Sequence, residues 1–448
     1  MATSIAASRS DREQDTTPGE AHSPQRTSTP TIVAASTFGT IIEWYDFFVY
    51  GTAAALVFGR LFFPASDPTV STLAGLSVYA VGYVARPFGG IIFGHFGDQL
   101  GRRSMLVISM LLMGFGTFLV GVLPTYEQIG IWAPVVLVAL RLVQAVGLGG
   151  EWGGAVLLVF ESAPTQWRGL FGSFVQIGNP IGRLVATGAF AFVARLPEGD
   201  FLSWGWRIPF LISALLIAVG LLIRFQIDET PEFQSLRESK KIVKTPILEV
   251  LSKYRRETII AVGLKITEVA WVGILTVFAV TYLTQQLRVP RSVVLDAVTL
   301  ATLVELFVMP LAGWLSDLIG RRAVYLVGTL FGILLAFPIF WLFETKNVAI
   351  VTSTIVAGIC LCQATVFALH ASFMPELFGT GVRYSGISLG FQIGAAIGGG
   401  LTPVVAAAVI AWSGGSTWPI SLMLVALGVA TFLAILSIQQ RVVTPKHR

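Results

Sequence analysis

Gly94–Arg103 reads GHFGDQLGRR, and Gly313–Arg322 reads GWLSDLIGRR. Both decapeptides place glycine first and eighth, aspartate fifth and arginine in the last two positions. Asp98 and Asp317 are 219 residues apart. Each decapeptide separates one long apolar run from the next. The offset recurs: Glu161 and Arg168 reappear as Glu376 and Arg383, displaced by 215, and Glu43 and Asp46 align with Lys265 and Glu268, displaced by 222. Three landmarks at nearly one offset predict two homologous halves, related by an axis along the normal of a membrane.

Composition says which solvent those halves meet. Of 448 residues, 54% are hydrophobic and 12% charged, with a mean hydropathy of +0.76. Soluble domains carry about 25% charged residues, so a soluble enzyme or binding module does not fit. A membrane span needs about 20 apolar residues, and such runs fall at 32–63, 69–96, 104–123, 130–160, 169–195 and 204–226, then at 258–286, 293–316, 323–343, 347–374, 383–411 and 417–438. These are spans 1 to 12. The predicted organisation is a disordered cytoplasmic tail at 1–31, a six-helix half at 32–227, a cytoplasmic linker at 228–256, a second six-helix half at 257–440 and a tail at 441–448. The first tail holds no apolar run long enough for a signal peptide.

Charge fixes the direction. Twenty of the thirty Lys and Arg residues, Arg224 among them, fall on the side of the two ends and six on the other, so both ends are predicted inside the cell. Basic loops explain the pI near 9.3 without nucleic acid as a partner. Cys360 and Cys362 share one apolar run and make no disulfide framework.

The decapeptides resemble the loop motif G-x-x-x-D-x-x-G-R-R of the major facilitator superfamily. EWYDF at Glu43–Phe47, GGEWGGA at Gly149–Ala155, GWRIPF at Gly205–Phe210 and RYSG at Arg383–Gly386 resemble its metabolite:proton symporter family, whose members carry shikimate, 2-oxoglutarate, citrate or proline/betaine. The similarity runs from about 32 to 440, and the run from Trp132 to Pro164 looks most like shikimate carriers. The resemblance implies an all-α, twelve-helix integral membrane transporter with two pseudo-twofold-related halves, monomeric, in the cell membrane. Its partners would be a small organic acid, protons and lipid. A proton gradient would drive it, with no cofactor, metal or catalytic residue. The resemblance also implies a conformational latch: Gly94, Asp98, Arg102 and Arg103 against the N-terminus of span 11, with Asp317, Arg321 and Arg322 against span 5.

Charges inside the spans cost at least roughly 2.5–3.5 kcal/mol each against lipid, so they face one another or a cavity. Arg86, Arg141, Arg183 and Lys265 stand against Glu43, Asp46, Glu151, Glu268 and Glu305, which leaves one acid over. A carboxylate without a cation, away from water, takes up a proton readily. Glu43 and Asp46 are three apart and share a helix face. Arg141 and Gln144 resemble the superfamily's R-x-x-Q-G motif, with Ala145 in place of the glycine. The expectation is therefore that Asp46 or Glu43 takes the proton, with Arg141 and Glu151 modulating it, and that ionised Asp46 competes with the substrate for Arg141 and Arg183.

Arg86 and Arg183 are the predicted carboxylate holders, because a guanidinium fork fits a carboxylate bidentately. Tyr45, Gln176 and Gln392 complete the candidate lining. Lys265 and Glu268 either join it or neutralise each other across one turn. His370 is either a proton relay or a packing residue. An exporter or a proton-independent facilitator is the alternative within transport; Gly178-Asn179-Pro180-Ile181-Gly182 fits the antiporter pattern poorly and favours import. A membrane-embedded enzyme would need a nucleophile–base pair or a metal cluster, and no span offers two histidines or an H-E-x-x-H.

Overall fold

A computed structural model describes residues 28–64 and 68–438. The expected tails at 1–27 and 439–448, with His22 and His447, lie outside the described residues. Every apolar run becomes a helix, because in hydrocarbon a backbone N–H finds no acceptor except a carbonyl of its own segment. Spans 1 to 6 are Thr29–Phe62, Pro68–Leu100, Arg102–Val122, Trp132–Ser162, Arg168–Val193 and Ile208–Phe225. Spans 7 to 12 are Arg255–Gln286, Arg291–Ile319, Arg321–Leu335 continued by Pro338–Glu344, Val348–Leu377, Thr380–Ile410 and Trp418–Ser437. Among the described residues, ten of these are long and apolar enough to cross a membrane when the broken ninth counts as one. The ninth bends by 51° at Pro338, which has no N–H to continue the ladder. Phe192, Phe307 and Trp412 stand exposed on the outer surface, as lipid-facing positions should. This is a multi-pass membrane protein.

The repeat is written into the backbone as well as the sequence. A π-helical segment at Ala54–Phe58 in span 1 returns at Ile274–Phe278 in span 7. The eighth residue of each decapeptide has positive φ, 108° at Gly101 and 95° at Gly320, a conformation that β-carbons resist. The chain thus turns the same way at both loops. The linker adds two short helices that the sequence reading left out, Pro231–Glu238 and Pro246–Lys253.

The halves meet along two seams, span 2 against span 11 and span 5 against span 8. The first glycine of each decapeptide makes the approach possible. A Cβ on Gly94 would stand 2.7 Å from Ser385 Cα, and one on Gly313 would stand 2.6 Å from the Gly169 carbonyl oxygen.

Candidate transport site

The seams are fastened at the end that carries the decapeptides. Asp98 accepts the backbone N–H groups of Tyr384 (3.2 Å) and Ser385 (2.9 Å) at the start of span 11. Asp317 accepts those of Gly169 and Leu170, both at 2.8 Å, at the start of span 5. Each carboxylate therefore caps the exposed N-terminus of a helix in the opposite half, where the helix dipole favours negative charge. Arg102 stands 3.5 Å from Asp98 and Arg321 3.6 Å from Asp317.

The second arginine of each motif does something else. Arg103 donates to the Phe225 carbonyl at the end of span 6, and Arg322 donates to the Leu436 carbonyl at the end of span 12. Both anchor the last helix of their own half, so the expected place of Arg103 and Arg322 in the latch against the opposite half is corrected: each long side chain turns toward free C-terminal carbonyls.

Three acidic residues outside the predicted set complete this end. Glu161 receives Arg102 at 3.4 Å and, across the seam, Arg383 at 3.2 Å. Glu232, from the linker helix, holds Arg383 at 2.5 Å and Arg168 at 3.5 Å. Glu229 accepts the N–H groups of Arg102 (3.1 Å) and Arg103 (3.2 Å) and so caps span 3. Burial pushes the Glu229 carboxyl above its ordinary range, against the pull of those N–H groups and of Arg102. Acid therefore weakens this cap before it would titrate an exposed glutamate.

If Asp98 is a latch, Asp98→Asn gives up two hydrogen bonds to a charged acceptor, each worth about 1.5–3 kcal/mol. The expected outcome is a shift toward the state open at the decapeptide end, with slower net uptake and substrate binding within a few-fold of wild type. Spin-label distances across the seam, read beside a binding isotherm, check it. Lost binding with unshifted distances would move Asp98 into the substrate site.

Deeper in the bundle, the structure corrects the charge count. Arg224, expected among the loop cations, lies inside: its Nη2 donates to Glu151 Oε1 at 2.6 Å, with 4% of the side chain exposed. It passes against Gly39, where a Cβ would stand 2.1 Å from Nη2. Five basic residues thus face five acidic ones, and no acid is left over by arithmetic. Two further pairs are explicit. Lys265 meets Glu268 at 2.5 Å within span 7, and Arg183 of span 5 meets Glu305 of span 8. Arg183 is therefore engaged by the other half, and Asp46, bonded to Ser213, makes no ion pair with it among the described residues.

Glu43 and Asp46 are the acids left without a cation within 4 Å among the described residues. Asp46 is 2% exposed. Its Oδ1 accepts from Ser213 Oγ at 2.5 Å, and its Oδ2 is buried without a partner. Glu43 Oε2 is buried without a partner too. On the basic side, the Arg86 guanidinium makes no ion pair among the described residues. It lies over the rings of Phe47 (4.2 Å), Tyr83 (5.0 Å) and Trp44 (5.9 Å). Arg141 lies over Tyr50 at 4.1 Å and Phe47 at 5.4 Å, and Gln144 donates to Thr117 at 2.7 Å. Arg86 shares a helix face with Tyr83, Gly90, Gly94 and Gly97, at i+3 and i+4 spacing. That stripe packs on span 11: Cβ atoms on Gly90 and Gly97 would meet Ser388 and Tyr384, and Tyr83 meets Gly399. The guanidinium thus belongs to the seam between the halves.

A sequence model of the sugar (and other) transporter family matches residues 31–245 and 232–441. The chain belongs to that family, within the major facilitator superfamily. This major facilitator transporter is 39% identical over 391 residues to the shikimate transporter of Escherichia coli K12, covering 87% of this chain and 89% of that one. It is 39% identical over 403 residues to the inner membrane metabolite transport protein YhjE of the same organism, covering 89% and 90%. Among solved structures, the proton:xylose symporter XylE bound to 6-bromo-6-deoxy-D-glucose superposes with a TM-score of 0.70 at 18% identity, covering 91% of this chain and 94% of that one. At that identity the likeness is one of fold.

Several of the transporter's expected lining residues are bonded elsewhere. Tyr45 is fully buried within the first half and donates to the Pro209 carbonyl at 2.7 Å. Gln176 accepts from Trp152 Nε1 at 3.0 Å and donates across the seam to the Phe367 carbonyl at 2.8 Å. Gln392 donates to the Gly149 carbonyl at 3.2 Å, and Trp152 stacks on Phe391 at 3.7 Å. Gln176, Gln392 and the Trp152–Phe391 stack tie the halves together at a level between the decapeptide contacts and Arg86. His370 Nε2 lies 2.8 Å from the Tyr325 hydroxyl, which itself donates to the Leu264 carbonyl at 2.7 Å. His370, Tyr325 and the Leu264 carbonyl thus link spans 10, 9 and 7 through buried polar contacts.

Proposed function

We propose that this transporter takes up a small organic acid together with protons by alternating access. The observation that carries the reading is Arg86, a nearly buried guanidinium on the seam, supported by three aromatic rings and with no carboxylate within 4 Å among the described residues. A charge in a span faces a cavity or a partner of opposite sign, and a substrate carboxylate matches the fork of this one. The rings beside it offer faces to a ring-shaped acid. Because that aromatic cluster already holds the protein's own cation, the arrangement favours an anionic substrate over a quaternary ammonium.

Proton coupling is inferred from the asymmetry of the repeat. The positions of Glu43 and Asp46 return as Lys265 and Glu268, which neutralise each other. In the first half both positions are acidic and neither has a cation within 4 Å among the described residues. A proton supplies what the second half provides with Lys265. Asp46, held by the neutral hydroxyl of Ser213, is the proposed acceptor, with Glu43, Glu151 and Arg141 around it. The gradient takes the place of a cofactor.

Both ends are proposed to lie in the cytoplasm. Cysteines at Ser239, in the linker, and at Ser292, at the start of span 8, are expected to be labelled from opposite faces of sealed vesicles. Labelling of both from one face would overturn the topology. For the substrate class, uptake by proteoliposomes should be screened over shikimate, hydroxybenzoates, di- and tricarboxylates, betaine and xylose. The expected substrate is an acid without an ammonium group. Uptake of betaine or xylose alone would contradict the reading.

A further inference from the structure

The two halves share one ion pair away from the decapeptide loops among the described residues. Arg183 Nη2, in span 5, donates to Glu305 Oε2, in span 8, with 14% of the arginine side chain and 1% of the glutamate side chain exposed. Counted from the Asp317 contact, Arg183 is 14 residues along span 5 from Gly169, and Glu305 is 12 residues back along span 8. That places the pair about 20 Å from the latch at 1.5 Å per residue, near the middle of the bundle.

Apolar side chains would hold two helices together here at no cost in buried charge, so the pair calls for a reason. Its geometry supplies one. Glu305 uses one of the five N–H donors of Arg183, and the arginine Nε is buried with no acceptor. The fork is only partly filled. Arg183 also stands beside Phe48 at 5.9 Å, while Arg86 lies over the neighbouring Phe47, and the two rings are 5.5 Å apart. One pair of adjacent rings on span 1 therefore lies between Arg86, which makes no ion pair among the described residues, and Arg183, which makes one.

We propose that Glu305 is a resident stand-in for the substrate carboxylate: in the empty transporter it holds the seat on Arg183 that the substrate takes. This rests on the carboxylate reading given above. Exchange of one carboxylate for the other leaves Arg183 paired and Glu305 without its cation inside a span, an unfavourable position. Separation of span 5 from span 8 lets water reach Glu305 and relieves it. Loading therefore loosens this seam ahead of the latches, and the same pair sets how tightly an acid must bind to displace its competitor.

The test is isothermal titration of purified protein in detergent with shikimate, 4-hydroxybenzoate and citrate as probes. Glu305→Gln removes the competitor with little change of shape. It is expected to bind whichever acid the wild type binds about 5- to 20-fold more tightly, since the seat no longer has to be vacated. The neutral pair R183Q/E305Q leaves no buried charge unpaired and is expected to fold, yet to bind that acid at least about tenfold more weakly than wild type, as expected for loss of a charge-assisted pair. Spin labels on spans 5 and 8 should report a wider separation in Glu305→Gln than in wild type without ligand. Glu305→Gln binding no tighter than wild type, or R183Q/E305Q binding as wild type does, would overturn the stand-in while leaving the carboxylate reading in place. Binding of none of the three acids to wild type would overturn both.

Discussion

Arg86→Gln is expected to lower the uptake of the transported acid by at least about 100-fold, with little change in yield or melting temperature. Removing Arg86 breaks no ion pair within 4 Å among the described residues, and the rings of Phe47, Tyr83 and Trp44 still fill the space. What is lost is the bond to the substrate. A paired guanidinium and carboxylate is worth roughly 3 kcal/mol, or about two orders of magnitude in affinity. Arg86→Lys should recover only part of the loss, because an ammonium keeps the charge and loses the fork. Initial rates in proteoliposomes, compared at matched protein density, decide it. Rates within threefold of wild type in Arg86→Gln would remove Arg86 from the site.

The second large effect is expected at Asp46. Asparagine keeps an acceptor for Ser213 Oγ, now 2.5 Å from Asp46 Oδ1, and imitates the protonated carboxyl. Asp46→Asn should therefore exchange substrate across the membrane at near wild-type rates while losing accumulation driven by a pH gradient, since no proton needs to accompany each crossing. Counterflow and gradient-driven uptake, measured on the same vesicles, separate the two activities. Accumulation that survives in Asp46→Asn would move the proton to Glu43, the other acid in this half without a cation.

The two halves could be read from sequence because repetition is a property of the chain itself. Asp98 and Asp317, with the glycines around them, sit at one offset, and the positive φ angles of Gly101 and Gly320 follow from residues that can be seen in a line of text. The helix each carboxylate meets was also expected, through the resemblance of the decapeptides to the superfamily's loop motif. The pairing of interior charges was not. Arg224 ends a span and reads as a loop cation, yet an arginine side chain is long enough to reach back into the bundle, and Gly39, in a different span, clears its path. Arg183 and Glu305 are 122 residues apart, and only the packing of span 5 on span 8 reveals that they meet. Tyr45, Gln176 and Gln392 looked available because a polar group in an apolar run invites a ligand. Each had instead found a backbone carbonyl, the commonest partner a buried polar side chain takes. Arg86 stood out in the sequence because its fork fits a carboxylate, and the uptake of Arg86→Gln decides whether it holds one.

The most direct measurement is accumulation of a small organic acid by wild-type protein in proteoliposomes, with and without an imposed proton gradient, acid outside. The expected result is uptake above the equilibrium level that needs the gradient, collapses when a protonophore is added, and is competed by other carboxylates. Uptake that only equilibrates, unaffected by the gradient, would contradict proton-coupled carboxylate transport.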